Sequence, residues 1–260
     1  MEKNLPFVSI PFLDKVYAKF IIPILKKLDE GIIFKDIITV LLSLSALALL
    51  VGGVYLSIFN MFGEQGYIKD IYGQNPNYGN LNELQKISSG FGLVIGFALS
   101  ILTSWVLYSF LKKRTEQLRE MDYNGLLDFV FNKTIPKLIL IIGEIIFLLF
   151  LYVGVLQILA TLLGAYVYAP LQKFPGLILT LFPGMEVFDD FLPRAIYGNH
   201  DNFVEYFKIG IIGVVSSFVV LIAFYLYKEV YTYLLKLITA FIEFLPKFAI
   251  PLAIRKRNEN

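Results

Sequence analysis

Apolar positions in this chain gather into four long stretches, 37–59, 91–111, 138–168 and 209–227, separated by polar, basic or turn-rich segments. Each approaches or exceeds the roughly 20 residues an α-helix needs to cross a hydrocarbon layer of about 30 Å. None shows the strict two-residue alternation of a lipid-facing barrel strand. The pattern therefore predicts an all-α integral membrane protein with four transmembrane helices.

The flanks carry a different periodicity. Between Pro11 and Leu28, apolar residues recur at helical spacing while Lys15, Lys19, Lys26 and Lys27 occupy the rest of the circumference, which predicts an amphipathic helix kinked at Pro23. After the fourth stretch, Lys228, Thr232, Lys236, Thr239, Glu243 and Lys247 form a narrow polar stripe on an otherwise apolar helix. Such helices lie in the headgroup layer or pack under a bundle, and Leu126 to Phe131 is read the same way. Lys15, Lys19, Lys26, Lys27, Lys236 and Lys247 are the expected contacts to lipid or a partner.

Charge then orients the spans. Six basic residues precede the first stretch, six lie between the second and third, and six follow the fourth, whereas the other two connections hold few. The positive-inside rule places both termini and the central connection in the cytoplasm, so two hairpins project outward. The expected division is 1–36, an amphipathic N-terminal segment; 37–111, a first hairpin with its outer loop at about 60–90; 112–137, a basic cytoplasmic loop; 138–227, a second hairpin with its outer loop at about 169–208; and 228–260, an amphipathic helix and basic tail. No removable signal peptide is expected in the first 36 residues. Richness in Lys, Ile, Phe and Asn points to a bacterial inner membrane.

Packing signals follow from lipid being as apolar as the helices, so that association rests on close approach and hydrogen bonds. Ser88, Gly92, Gly96, Ser100 and Ser104 recur every four residues along the second span, and Gly210, Gly213 and Ser217 form a weaker set on the fourth. Shorter pairs are Ala48 with Gly52 and Ala160 with Gly164.

Candidate chemistry is sparse. The chain has no cysteine, which excludes disulfides and thiol chemistry. Glu144 is the one carboxylate within a span, either at the headgroup level or buried as a proton or cation site; Gln157, on the same side of that helix, either lines a solute path with it or bonds Ser45 or Ser216 of a neighbouring helix. The segment FPGLILTLFPG reads as two Phe-Pro-Gly turns, at Phe174 and Phe182, around an apolar insert resting on the membrane surface or a neighbouring subunit, with a re-entrant placement as the alternative.

The four residues Gly198 to Asp201, GNHD, resemble a metal-binding segment of the calcineurin-like phosphoesterases. That resemblance implies a dinuclear site, which takes several further His and Asp ligands, whereas His200 is the chain's one histidine and no Asp follows a Gly. A polar turn is the simpler reading. His200 with Glu186, Asp189, Asp190 and Glu205 reads as a solvated acidic loop, with a loosely held lone divalent cation as the alternative.

No nucleophile-base pair, phosphate loop, metal set or cofactor motif completes a catalytic constellation. The expected function is a non-enzymatic structural or accessory subunit of a larger bacterial envelope complex, partnered by membrane lipids and by other membrane subunits or itself, not by nucleic acid. A small transporter or ion-conducting protein using Glu144 and Gln157 is the alternative.

Overall fold

The computed structural model describes residues 22–63, 66–72, 82–193 and 195–257. Its regular structure is helical: α1 (Ile22–Asp29), α2 (Ile32–Phe62), α3 (Tyr67–Tyr72), α4 (Glu83–Arg119), a π-helix (Asp128–Thr134) running into α5 (Ile135–Leu163), α6 (Phe174–Leu179), two 3₁₀ turns (Glu186–Phe191 and His200–Asn202) and α7 (Phe203–Arg257). There is no strand among the described residues. Four helices, α2, α4, the π-helix with α5, and α7, are long and apolar enough to cross a membrane. By that measure the chain is a multi-pass membrane protein.

Helix ends follow local chemistry. Asn82 caps α4 through a reciprocal pair of bonds, its side chain accepting from Gln85 N (2.8 Å) while Asn82 N donates to Gln85 Oε1 (3.1 Å). Pro136 would collide with the backbone of an α-helical turn before it; the chain there is wound as a π-helix instead, with Ile135 N bonded to Val130 O. The third span stops at Leu163 rather than continuing to Tyr168. Gly164 takes φ +61°, Gly164 N donates to Thr161 O (3.2 Å) and Ala165 N to Ala160 O (3.2 Å), the two bonds of a Schellman stop. Hydropathy could not register that stop, because the residues beyond it are as apolar as those before.

The fourth span also departs from expectation. Instead of ending near Tyr227 and restarting as a surface helix, α7 runs 55 residues without interruption, roughly 80 Å. No Gly or Pro stands between Gly213 and Pro246 to break it. Tyr231 Oη donates to Phe131 O (3.4 Å), fastening this extension to the π-helix. Lys26, Lys27 and Lys236 are exposed, while Lys15, Lys19 and the side chain of Lys247 lie outside the described residues.

Helix α5 is the axis of the bundle, with half of its most apolar window buried. It crosses α7 at glycines: a Cβ on Gly154 would sit 2.6 Å from Val214 N, and one on Gly210 2.6 Å from Ile158 Cγ1. On α2 the inward positions are Thr39, Ala46, Gly53 and Ser57. The expected Ala48 and Gly52 pair faces away, and nothing lies within 4 Å of a Cβ built on Gly52. Gly53 instead presses on Ser104 of α4, one residue out of the expected register.

Candidate functional site

The connection between α5 and α7 is the least ordinary part of the molecule. Its two ends are fastened together: Tyr166 bridges Tyr197, Val167 N donates to Ile196 O (3.1 Å) and Gly198 N donates to Ala165 O (3.1 Å). Gly198 is required at this neck because a Cβ there would overlap the backbone of Ala160 and Thr161. Burial, followed by the nearby Tyr206 and Asp201, pushes the Tyr197 hydroxyl up in pKa and keeps it neutral.

From the neck the chain runs inward along the small-residue face of α4. Tyr168 N bonds Gly92 O (3.4 Å), and a Cβ on Gly92 or Gly96 would overlap the carbonyls of Tyr166 and Tyr168. Tyr168 Oη reaches Ser57 O (2.5 Å), Tyr67 Oη reaches Tyr166 O (2.7 Å), and the Tyr152 hydroxyl meets Ser100 Oγ (2.7 Å). The small-residue face thus receives an extended segment of backbone along Gly92 and Gly96, the Tyr152 hydroxyl at Ser100, and Gly53 of α2 at Ser104. Ser88 is half-exposed; Ser89, one residue on, is the buried member of the row. Ser217 is buried and bonds Val214 O (2.6 Å) within α7.

The two Phe-Pro-Gly tripeptides then do different things. The first opens α6, its proline in the helix's first turn, where a missing N–H costs nothing. The second is a turn: Met185 N bonds Phe182 O (3.0 Å), with Pro183 at the second position and Gly184, φ +81°, at the third, the type II signature. This turn packs against α7. Phe182 packs edge-on to Phe224 (5.0 Å) and Tyr227 (6.1 Å), the former about 31 Å along α7 from Phe203. Leu179 is fully buried with Ile146, Phe150 and Val220. The connection therefore re-enters the bundle and spans nearly the whole apolar length of α7 before returning past Phe188 and Phe191, which line a small apolar cavity with Ile211, Val215 and Val219.

The returning limb carries acids. Glu186, Asp189 and Asp190 are exposed, and none forms an ion pair among the described residues. Glu186 accepts a bond from Gly184 N (2.9 Å), and Asp189 lies over Gly176 of α6. His200 is not with them. It stands at the far end, its ring against Gly164, while Asn199 Oδ1 accepts from Asp201 N (3.1 Å) in a polar turn. No three His, Asp or Glu residues come together as a metal site among the described residues, so the lone-cation reading of His200 with the loop acids is corrected.

Glu144 and Gln157 also lie apart. Glu144 pairs with Arg114 of α4; Arg114 Nη1 and Lys137 Nζ both donate to Gln117 Oε1, at 2.9 and 3.2 Å, and the guanidinium lies 5.2 Å from the centre of the Phe110 ring. The pair is largely shielded, Glu144 being 15% exposed and Arg114 25%, and the second carboxylate oxygen is buried without a partner. Gln157 is buried at the neck, its amide donating to Tyr197 O (2.7 Å) rather than to Ser45 or Ser216. No side chain links the two groups. Sequence reasoning missed Gly143 and Gly154, which lie against Phe224 and Val214. Their eleven-residue spacing, about three helical turns, was the available signal.

Comparisons with protein-family models, curated proteins and solved structures find no match to this chain.

Proposed function

We propose that this chain is a non-enzymatic subunit of a larger assembly in a bacterial inner membrane, and that its re-entrant α5–α7 connection is where a partner chain docks. The observation that carries the reading is exposed, irregular, acid-bearing backbone lying alongside the apolar length of α7, which this reading places within the membrane. Lipid tails cannot satisfy peptide groups or carboxylates, so non-helical backbone persists there only when protein or a water-filled cavity covers it. On this chain Leu177, Leu181 and Val187 are 69%, 72% and 59% exposed beside Glu186, Asp189 and Asp190. The partner's covering face supplies donors or cations opposite those acids. The basic flanks support an orientation with both termini cytoplasmic and two hairpins projecting outward.

A photo-crosslinking residue at Leu181 or Val187, activated in native membranes, tests this. Adducts to a second protein chain are expected; adducts to lipid alone would refute the docking role.

A second reading draws on the same acids: a cation path. Because they face outward from the bundle, its other wall would also belong to a partner, and Glu144 and Gln157 would be structural. Cation flux into proteoliposomes of the extracted assembly, abolished by Asp189→Asn with Asp190→Asn, distinguishes it from docking alone.

A further inference from the structure

The open slot between α2 and α4 has no role in that reading. The two helices touch closely at Gly53 and Ser104 and pack again through Ala46 and Leu111; on the other side, toward the end where the basic residues collect, an opening is left between them. The opening is about 820 Å³, within the range of small-molecule sites. Its lining is graded. Toward the centre of α2 are Val40, Leu44 and Leu47, at least half exposed; toward the mouth are Asp36 on α2 and Lys112, Glu116 and Arg119 on α4.

These four ionic side chains are exposed, and none is engaged in an ion pair among the described residues. Two cations and two carboxylates share one mouth, with no direct ion-pair contact between them. An apolar floor below separated opposite charges matches a molecule with a hydrocarbon tail and a head carrying both signs. A purely anionic head would engage Lys112 and Arg119 but leave Asp36 and Glu116 with no counter-charge from the lipid.

We infer that the α2–α4 slot binds one zwitterionic phospholipid whose headgroup bears a primary ammonium. Its phosphate lies with Lys112 and Arg119, its ammonium donates to Asp36 and Glu116, and an acyl chain runs along Val40, Leu44 and Leu47. A primary ammonium has three N–H donors for the two carboxylates, whereas a trimethylated head has none. The Thr39 hydroxyl, turned back to Asp36 O (2.9 Å), is already occupied and leaves the recognition to the charged groups.

The test uses the whole protein, delipidated in detergent and titrated with phosphatidylethanolamine, phosphatidylcholine or phosphatidylglycerol, and bound lipid is read by native mass spectrometry. Saturable retention of one phosphatidylethanolamine, about tenfold tighter than either other lipid, is expected, since the difference rests on paired charges. Lys112→Gln with Arg119→Gln, and separately Leu44→Trp, should each lower that retention about tenfold while leaving the thermal midpoint in lipid-free detergent unchanged. Equal retention of the three lipids, tighter retention of phosphatidylglycerol, or retention unaffected by both variants would overturn the assignment. None of these readouts involves the α5–α7 connection, so the slot and the docking surface stand or fall separately.

Discussion

The two halves of the bundle solve one packing problem in opposite ways. Helices α5 and α7 meet through glycine, with Gly154 against Val214 and Gly143 against Phe224, and the chain between them folds back to fill the remaining crease. Helices α2 and α4 touch at Gly53 and Ser104 and at Ala46 and Leu111, but leave a slot open on one side. In lipid no hydrophobic drive closes such a gap, so backbone proximity alone decides which pair is tight. The most apolar window is 50% buried in the span of α5, which packs against α4, α6 and α7, and 17% in that of α2, whose chief long neighbour is α4.

The sharpest way to break the comparison is to enlarge one glycine in each half. Gly154→Leu drives side-chain atoms into the backbone of α7, an overpacking that costs about 1–3 kcal/mol or more. Gly52→Leu meets nothing within 4 Å and trades a poor helix former for a good one, so it should be neutral or stabilising by up to about 1 kcal/mol. Thermal unfolding in detergent measures both; equal losses would show that the halves are equally close-packed.

Between the halves stands the Arg114–Glu144 pair. A fully buried pair that loses one partner costs about 3–5 kcal/mol and an exposed one less than about 1, so Glu144→Ala in this shielded setting should cost about 1–3 kcal/mol. Adding Arg114→Ala should cost less than the sum of the single changes, because it removes the stranded cation. Additive losses would mean that the two groups do not sense each other.

Reading the fold from sequence worked where one physical rule dominated. The number of spans follows from apolar length, and the four-residue rhythm of Gly92, Gly96, Ser100 and Ser104 runs along the face of α4 that meets Tyr166, Tyr168, Tyr152 and Gly53. What occupies that face was not legible, because a groove for backbone looks the same whether a helix or an extended strand enters it. Tyr166 to Tyr168 read as helix for the same reason: apolar composition identifies depth, and only the left-handed Gly164 separates a span from the extended segment that follows. Glu144 was placed on the right helix, but its counter-ion on α4 is 30 residues away in sequence and has no periodic signature. The duplicated Phe-Pro-Gly shows the limit most plainly, since one tripeptide begins a helix and its copy makes a turn.

That turn offers a smaller perturbation. A Cβ on Gly184 meets nothing within 4 Å, so Gly184→Ala isolates the strain of holding φ +81°, about 1–2 kcal/mol. Because the chain lacks cysteine, Leu179→Cys in this background reports whether the re-entrant tip has loosened. Faster maleimide labelling than in the Gly184 parent is expected, and an unchanged rate would show that the tip is held by Phe182 alone.

The smallest effect is expected at a buried polar group of the neck, Gln157. Gln157→Leu deletes the bond to Tyr197 O, and polar contacts between membrane helices average only about 0.6 kcal/mol. The loss is further limited because Gln157 Oε1 is buried without a partner, a desolvation cost that leucine removes. The neck also keeps the bonds from Val167 N to Ile196 O and from Gly198 N to Ala165 O. Thermal unfolding should therefore shift by less than about 1 kcal/mol. If Gln157→Leu instead destabilised the protein as much as Gly154→Leu, one amide would be holding the connection closed, and the glycine crossing would have to yield its place as the feature that sets the two halves apart.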